Sequence, residues 1–139
     1  MTHAYDASWM VGRRIERVEL FEPSQWRFGL GAEIGIGVEC PWRLRKDGRI
    51  AISSEDHMQK YGLPKPLDAV AVAGDLFAAS LIVRVDICDG STDLLIGLTG
   101  GLQFEVLPIS SGYESWNIFG PSGIQVIAQG GGELCVWNK

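Results

Sequence analysis

Apolar and polar residues alternate along most of this chain, and period two is the signature of β-strands with one buried face. From Ile15 onward, Val18 and Leu20 alternate with Arg17 and Glu19. Trp26, Phe28 and Leu30 follow after the turn Glu22-Pro23-Ser24, and Ile34, Ile36 and Val38 after Gly31-Ala32. Trp42 and Leu44 open a fourth strand, Lys46-Asp47-Gly48 marks a tight hairpin, and Ile50 and Ile52 return from it. Later, Val83, Val85 and Ile87 alternate, then Leu94, Ile96 and Leu98, then Leu102, Phe104 and Val106. Trp116 and Ile118, the turn Gly120-Pro121-Ser122-Gly123, and Ile124 and Val126 complete the series. The first ten residues lack periodicity and read as a loose lead-in in which Trp9 and Met10 are the residues able to pack.

The two runs of strands match each other. Arg17-Val18-Glu19-Leu20 aligns with Arg84-Val85-Asp86-Ile87, and Trp26, Phe28 and Leu30 with Leu94, Ile96 and Leu98. Ile34, Ile36 and Val38 align with Leu102, Phe104 and Val106, Trp42-Arg43-Leu44 with Trp116-Asn117-Ile118, and Ile50 and Ile52 with Ile124 and Val126. An internal duplication is therefore expected, and it predicts architecture before any single residue does. Three stretches have no counterpart or are longer in one copy: residues 54–62, residues 108–114, and the final Leu134-Cys135-Val136-Trp137, which is expected to add a strand.

Between the copies the period changes. Residues 54–62 read as a short helical turn with a Ser cap and a Gly stop. Leu67, Val70, Ala71, Gly74, Phe77 and Ala78 then recur at helical spacing, with Pro66 suited to the first turn. Gly74 on that stripe suggests close contact with a sheet. The expected fold is α+β: mostly antiparallel β-sheet from two duplicated β-meander halves, with one main helix packed on the sheet. It forms one domain over residues 1–139, divided into a first half at 11–53, a helical linker at 54–80 and a second half at 81–137. Packing the halves together buries period-two faces that neither could bury alone.

Composition narrows the function classes. The chain has 139 residues, 46% hydrophobic and 21% charged, with a net charge of −5. That length can bury about two thirds of its unfolded surface in one core. The acidic balance argues against nucleic acid, whose binding needs a basic footprint, and permits a basic protein partner. No apolar run approaches the about 20 residues of a membrane span. The opening Met1-Thr2-His3-Ala4-Tyr5-Asp6 lacks the basic start of a signal peptide. Cys40, Cys88 and Cys135 are odd in number and form no C-x-x-C pair, which argues against a zinc or redox motif; Cys88 and Cys135, in apolar strand-like contexts, are expected as buried free thiols, and a reducing cytoplasm suits this.

Candidate chemistry is sparse. Glycines 29, 31, 35 and 37 lie on the face opposite the inward residues of their strands, where close backbone approach is the favoured reading over an open ligand face. Gly130-Gly131-Gly132 lacks the Lys and Ser/Thr of a phosphate loop, and no helix pattern follows. Glu55-Asp56-His57 brings a histidine among carboxylates, yet adjacent residues do not converge on a metal. No nucleophile stands in a triad context. No catalytic residue, metal site or cofactor is assigned, and a non-enzyme is favoured. Trp42 with Arg43, and Tyr113 and Glu114 with Trp116, occupy equivalent ends of the two halves. Trp42, Arg43, His57, Tyr113, Glu114 and Trp116 are therefore the candidate ligand-binding residues of a shared cleft, set against the plainer reading that both tryptophans fill the core.

Four ordered motifs carry a resemblance. They are Val38-Glu39-Cys40-Pro41-Trp42-Arg43-Leu44; Ser54-Glu55-Asp56-His57 with Gly62-Leu63-Pro64; Ser110-Ser111-Gly112-Tyr113-Glu114-Ser115-Trp116; and Gly130-Gly131-Gly132-Glu133-Leu134 with Trp137. With them the chain resembles, from about Val11 onward, a family of small uncharacterised bacterial proteins frequent in actinobacteria. That resemblance brings no activity with it. Some small proteins of this style occur beside polymorphic toxins and look like immunity proteins, which implies partner binding. Three readings stay open: a cytoplasmic non-enzymatic protein-binding domain, immunity-like in its partner; a small-molecule binder or weak enzyme with a cleft near Trp42 and Trp116; and a structural homo-oligomer subunit.

Overall fold

The computed structural model describes residues 5–138. The part of the lead-in and the terminal residue outside that range, 1–4 and 139, lie outside the described residues. The first run of strands comprises β1 (Arg17–Phe21), β2 (Gln25–Gly31), β3 (Ile34–Val38), β4 (Trp42–Lys46) and β5 (Arg49–Ser53). After a 3-10 turn at Ser54–Asp56 and the helix α1 (Ala69–Ala78), the second run is β6 (Ile82–Ile87), β7 (Leu94–Leu98), β8 (Leu102–Val106), β9 (Trp116–Phe119), β10 (Gln125–Ala128) and β11 (Leu134–Trp137). All pairings are antiparallel. The fold is α+β, mostly antiparallel sheet with one helix packed on it.

The strands do not stay within their own halves. One sheet has the order β1-β2-β3-β9-β10-β11, the other β5-β4-β8-β7-β6. Each half thus builds a three-stranded meander in one sheet and sends its next hairpin to the other, where β11 adds a third strand to the hairpin of the second half. The registers correspond residue by residue. Trp26 pairs with Val38 as Leu94 pairs with Val106. Trp116 pairs with Val38 as Trp42 pairs with Val106.

The inward residues of both sheets form one core with Trp42, Trp116, Phe28, Phe77 and Phe104 among its largest members. Rings from opposite sheets meet edge to face: Trp26 and Trp42 at 4.9 Å, Phe28 and Trp42 at 5.3 Å. This is the geometry that aromatic quadrupoles favour. Helix α1 runs along the edge strands β1 and β5 and places Phe77 against Phe28 and Phe104. Its buried stripe is Ala69, Ala73 and Phe77, a rotation from the expected one. Asp68 rather than a residue near Pro66 starts it, its carboxylate accepting from Ala71 N–H. Gly74 makes no close contact, because a Cβ there would meet nothing within 4 Å.

Bulges move two expected core residues to the surface. A register shift opposite Leu44 and Arg45 sets Ile50 against Arg45, leaving it 59% exposed. A second, between Ile82 and Arg84, buries Ile82 and exposes Val83. An extra residue in one strand inverts the faces beyond it. The described part of the lead-in is tied down rather than loose. Met10 is fully buried, and Gly12 N–H donates to Ile82 C=O while Ile82 N–H donates to Arg13 C=O.

Of the four strand glycines, Gly35 is approached by backbone and Gly29 and Gly37 by side chains, while a Cβ at Gly31 would meet nothing within 4 Å. A Cβ at Gly35 would lie 2.8 Å from the Phe28 carbonyl oxygen. Gly130-Gly131-Gly132 is the β10–β11 turn, seated on the Gly90 and Gly112 backbones. A Cβ at Gly132 would overlap the Gly90 carbonyl, and its φ of +81° lies in the left-handed region that favours glycine.

Candidate functional site

The chain changes sheet at two crossovers, residues 39–41 and residues 107–115. They run side by side and bond to each other at matching positions. Glu39 N–H donates to Ser115 C=O at 2.8 Å, and Leu107 N–H donates to Pro41 C=O at 2.9 Å. The first crossover is three residues and the second nine. The longer one cannot lie flat, so it stands away from the sheet, with Ile109 and Tyr113 each 81% exposed.

Two hollows flank the shorter crossover and share Glu39, Cys40, Pro41, Pro23 and Ser24 as a common wall. One, of about 390 Å³, is closed on its far side by Ser54, Glu55, His57 and Met58. The other, of about 440 Å³, is closed by Ile109, Ser110, Tyr113 and Glu114. Every fully charged residue lining them is a carboxylate: Glu22, Glu39, Glu55 and Glu114. Met58 is 61% exposed and holds φ at +67°, a conformation that costs a bulky residue about 1–2 kcal/mol. Its loop is pinned by Met58 N–H to Leu67 C=O and Leu67 N–H to Gln59 C=O, both 2.8 Å.

The six residues expected to form one cleft are dispersed. Trp42 and Trp116 are each 1% exposed and fill the core. Arg43 points to the outer face of its sheet, where its Nε donates to Glu105 Oε1 at 2.5 Å. Arg45 lies 3.3 Å from the same carboxylate, and Gln103 donates to it at 2.7 Å. Burial alone would raise the Glu105 pKa, but the two guanidiniums outweigh it and hold the carboxyl below its usual value. His57 sits in the first hollow, stacked edge-on to Trp26 at 5.6 Å. Its Nδ1 accepts from Ala69 N–H at 3.1 Å, a helix-end donor that needs a partner. Tyr113 and Glu114 line the second hollow. So His57, Tyr113 and Glu114 belong to the surface around the crossovers, and Arg43 and the tryptophans do not.

Cys40 is a poor nucleophile. Burial pushes its thiol up to about 12, with Asp93 and Glu39 adding to the rise against two backbone hydrogen bonds. Among the described residues no group of three or more His, Cys, Asp or Glu could hold a metal. None of their helices is long and apolar enough to cross a membrane. Sequence reasoning missed Ile109, Met58, Glu22 and Glu39. The length mismatch at residues 108–114 was the signal for the first, since extra residues in one crossover must bulge outward.

The class is thus a two-sheet α+β domain with an open, carboxylate-lined double hollow where its crossovers meet. Residues 6–138 match a family described as a family of unknown function (DUF6188), and the chain belongs to that family. No curated protein and no solved structure matches it.

Proposed function

We propose that this chain is a protein-binding domain that receives a basic segment of a partner across the double hollow. The observation that carries the reading is the composition of that surface. Exposed Met58, Ile109 and Tyr113 stand around hollows whose charged lining residues are all carboxylates. Exposed apolar side chains beside a single sign of charge suit a partner with cationic side chains and an apolar anchor. The chain's net charge of −5 would also speed the encounter. An immunity-like inhibitor of a basic toxin is a setting this surface fits. Three free cysteines suit a reducing cytoplasm, and the matched registers of the halves support an origin by duplication.

Selection from a random peptide library tests the reading. Enriched peptides should be rich in Lys and Arg with an apolar anchor, and Glu39→Lys with Glu114→Lys should weaken them at least tenfold, as should Tyr113→Ala. Enrichment of acidic or uncharged peptides, or affinity unmoved by these changes in a folded variant, would refute it.

A further inference from the structure

The other sheet edges are covered or interrupted. Strands β1 and β5 flank α1. Strand β6 starts against residues 12 and 13, carries a bulge, and bears the Arg84–Asp86 ion pair at 2.8 Å. Strand β11 is different. It pairs with β10 alone, without a bulge, and Leu134-Cys135-Val136-Trp137 contains no charge and no proline. Natural edges use such devices to block pairing with another chain. Val136 and Trp137 are 45% and 59% exposed on opposite faces.

The ladder shows which backbone groups face outward. Gln129 N–H donates to Glu133 C=O across the hairpin, so in the alternation of an antiparallel pair Cys135 and Trp137 direct their backbone groups to β10. The N–H and C=O of Leu134 and Val136 therefore face away from the sheet, and no backbone partner meets them among the described residues.

We infer that β11 pairs antiparallel with β11 of a second copy about a two-fold axis through Cys135. The segment is self-complementary: Leu134 and Val136 of each copy exchange hydrogen bonds with Val136 and Leu134 of the other. A second copy is favoured over a foreign strand because a two-fold contact must place identical groups near each other. For a chain of net charge −5 that is tolerable only where the contact is uncharged, and this edge is. The pairing continues the six-stranded sheet into a twelve-stranded one across two chains, as a closed dimer. Cys135 then faces its own copy at a non-hydrogen-bonded position, with Cα atoms about 4.5 Å apart, inside the range a disulfide spans.

The full chain, kept reduced, would be run on size exclusion with light scattering from micromolar to millimolar concentration. The expected result is a concentration-dependent dimer. Val136→Pro, which removes an outward N–H, and Val136→Lys, which sets two like charges diagonally across the seam, should both be monomeric with unchanged far-UV circular dichroism. Diamide, taking two electrons and two protons from a pair of thiols, should link the wild-type dimer through Cys135 and leave Cys135→Ser unlinked. A wild-type monomer at every concentration, a dimer that survives both Val136 changes, or a dimer that diamide does not link at Cys135 would overturn the inference.

Discussion

Replacing Trp42 and Trp116 by phenylalanine, one at a time, separates two positions that look alike in sequence and register. Both tryptophans are 1% exposed, so both changes remove a similar volume, and the cavity cost is common to first order. Their indole N–H groups differ. Trp116 Nε1 donates to Thr92 C=O at 2.8 Å, in a residue 3% exposed. No acceptor meets Trp42 Nε1 among the described residues. The reason lies in the turns: residues 88–93 join β6 to β7 and carry Thr92, whereas only residues 22–24 join β1 to β2. Trp116→Phe strands a buried carbonyl, at about 1–3 kcal/mol. Trp42→Phe removes an unpaired buried donor and so recovers about 1–3 kcal/mol of its cavity cost. Trp116→Phe should therefore be the more destabilised by about 2–6 kcal/mol, or about 8–24 °C in midpoint for a domain of this size. Thermal and urea unfolding followed by far-UV circular dichroism reads the difference without relying on the altered fluorophores. Equal losses, or a larger loss for Trp42→Phe, would refute the asymmetry.

Two further predictions concern stability. Gly74→Ala should stabilise by about 1 kcal/mol, since the position is helical and its Cβ meets nothing; a lower midpoint in thermal unfolding would show a contact that the geometry does not contain. Glu105→Gln should cost about 1–3 kcal/mol at neutral pH, below the figure for a fully buried pair because Arg43 and Arg45 side chains are 37% and 34% exposed. The folded pKa of Glu105 is lowered from 4.5, so its stabilisation is fully present above the unfolded value and is lost as pH falls through the folded one. The gap between wild type and Glu105→Gln, read from urea unfolding against pH, should close on acidification; a gap that widens would contradict that sign.

The strands were legible because a period-two face needs no knowledge of its partner: Trp26, Phe28, Ile36, Phe104 and Ile118 all point inward as read. What depends on the partner was not legible. Ile50 and Val83 carry the apolar signal of core residues, yet bulges against β4 and β7 turn them out. Alternation identifies a strand's buried face without naming its neighbour, so the exchange of hairpins between sheets had no local mark. In α1 the small Ala69 and Ala73 carry the contact, and alanine gives a weaker pattern than the Val70 and Leu67 that suggested another face. His57, Tyr113 and Glu114 lie around the hollows, whereas Arg43 pairs with Glu105 on β8, a partner that nothing near it in sequence announces.

The matched halves also explain why the surface lies where it does. Most equivalent positions of the two halves are buried where the sheets close on each other: Val38 and Val106, Trp42 and Trp116, Leu44 and Ile118, with Ile50 turned out by its bulge. A segment without a counterpart in the other half has no equivalent to cover it. Residues 54–62 expose Met58 and Tyr61, the long crossover exposes Ile109 and Tyr113, and β11 exposes Val136 and Trp137. Among the described residues, six of the twelve exposed large apolar side chains thus fall in the three unmatched segments. Side chains of this kind are retained in water most readily when a partner covers them part of the time. The first two segments meet at the carboxylate-lined hollows and the third forms the bare edge, and Gly131 N–H donates to Ser110 C=O at 3.0 Å, so the two proposed contacts adjoin at the long crossover.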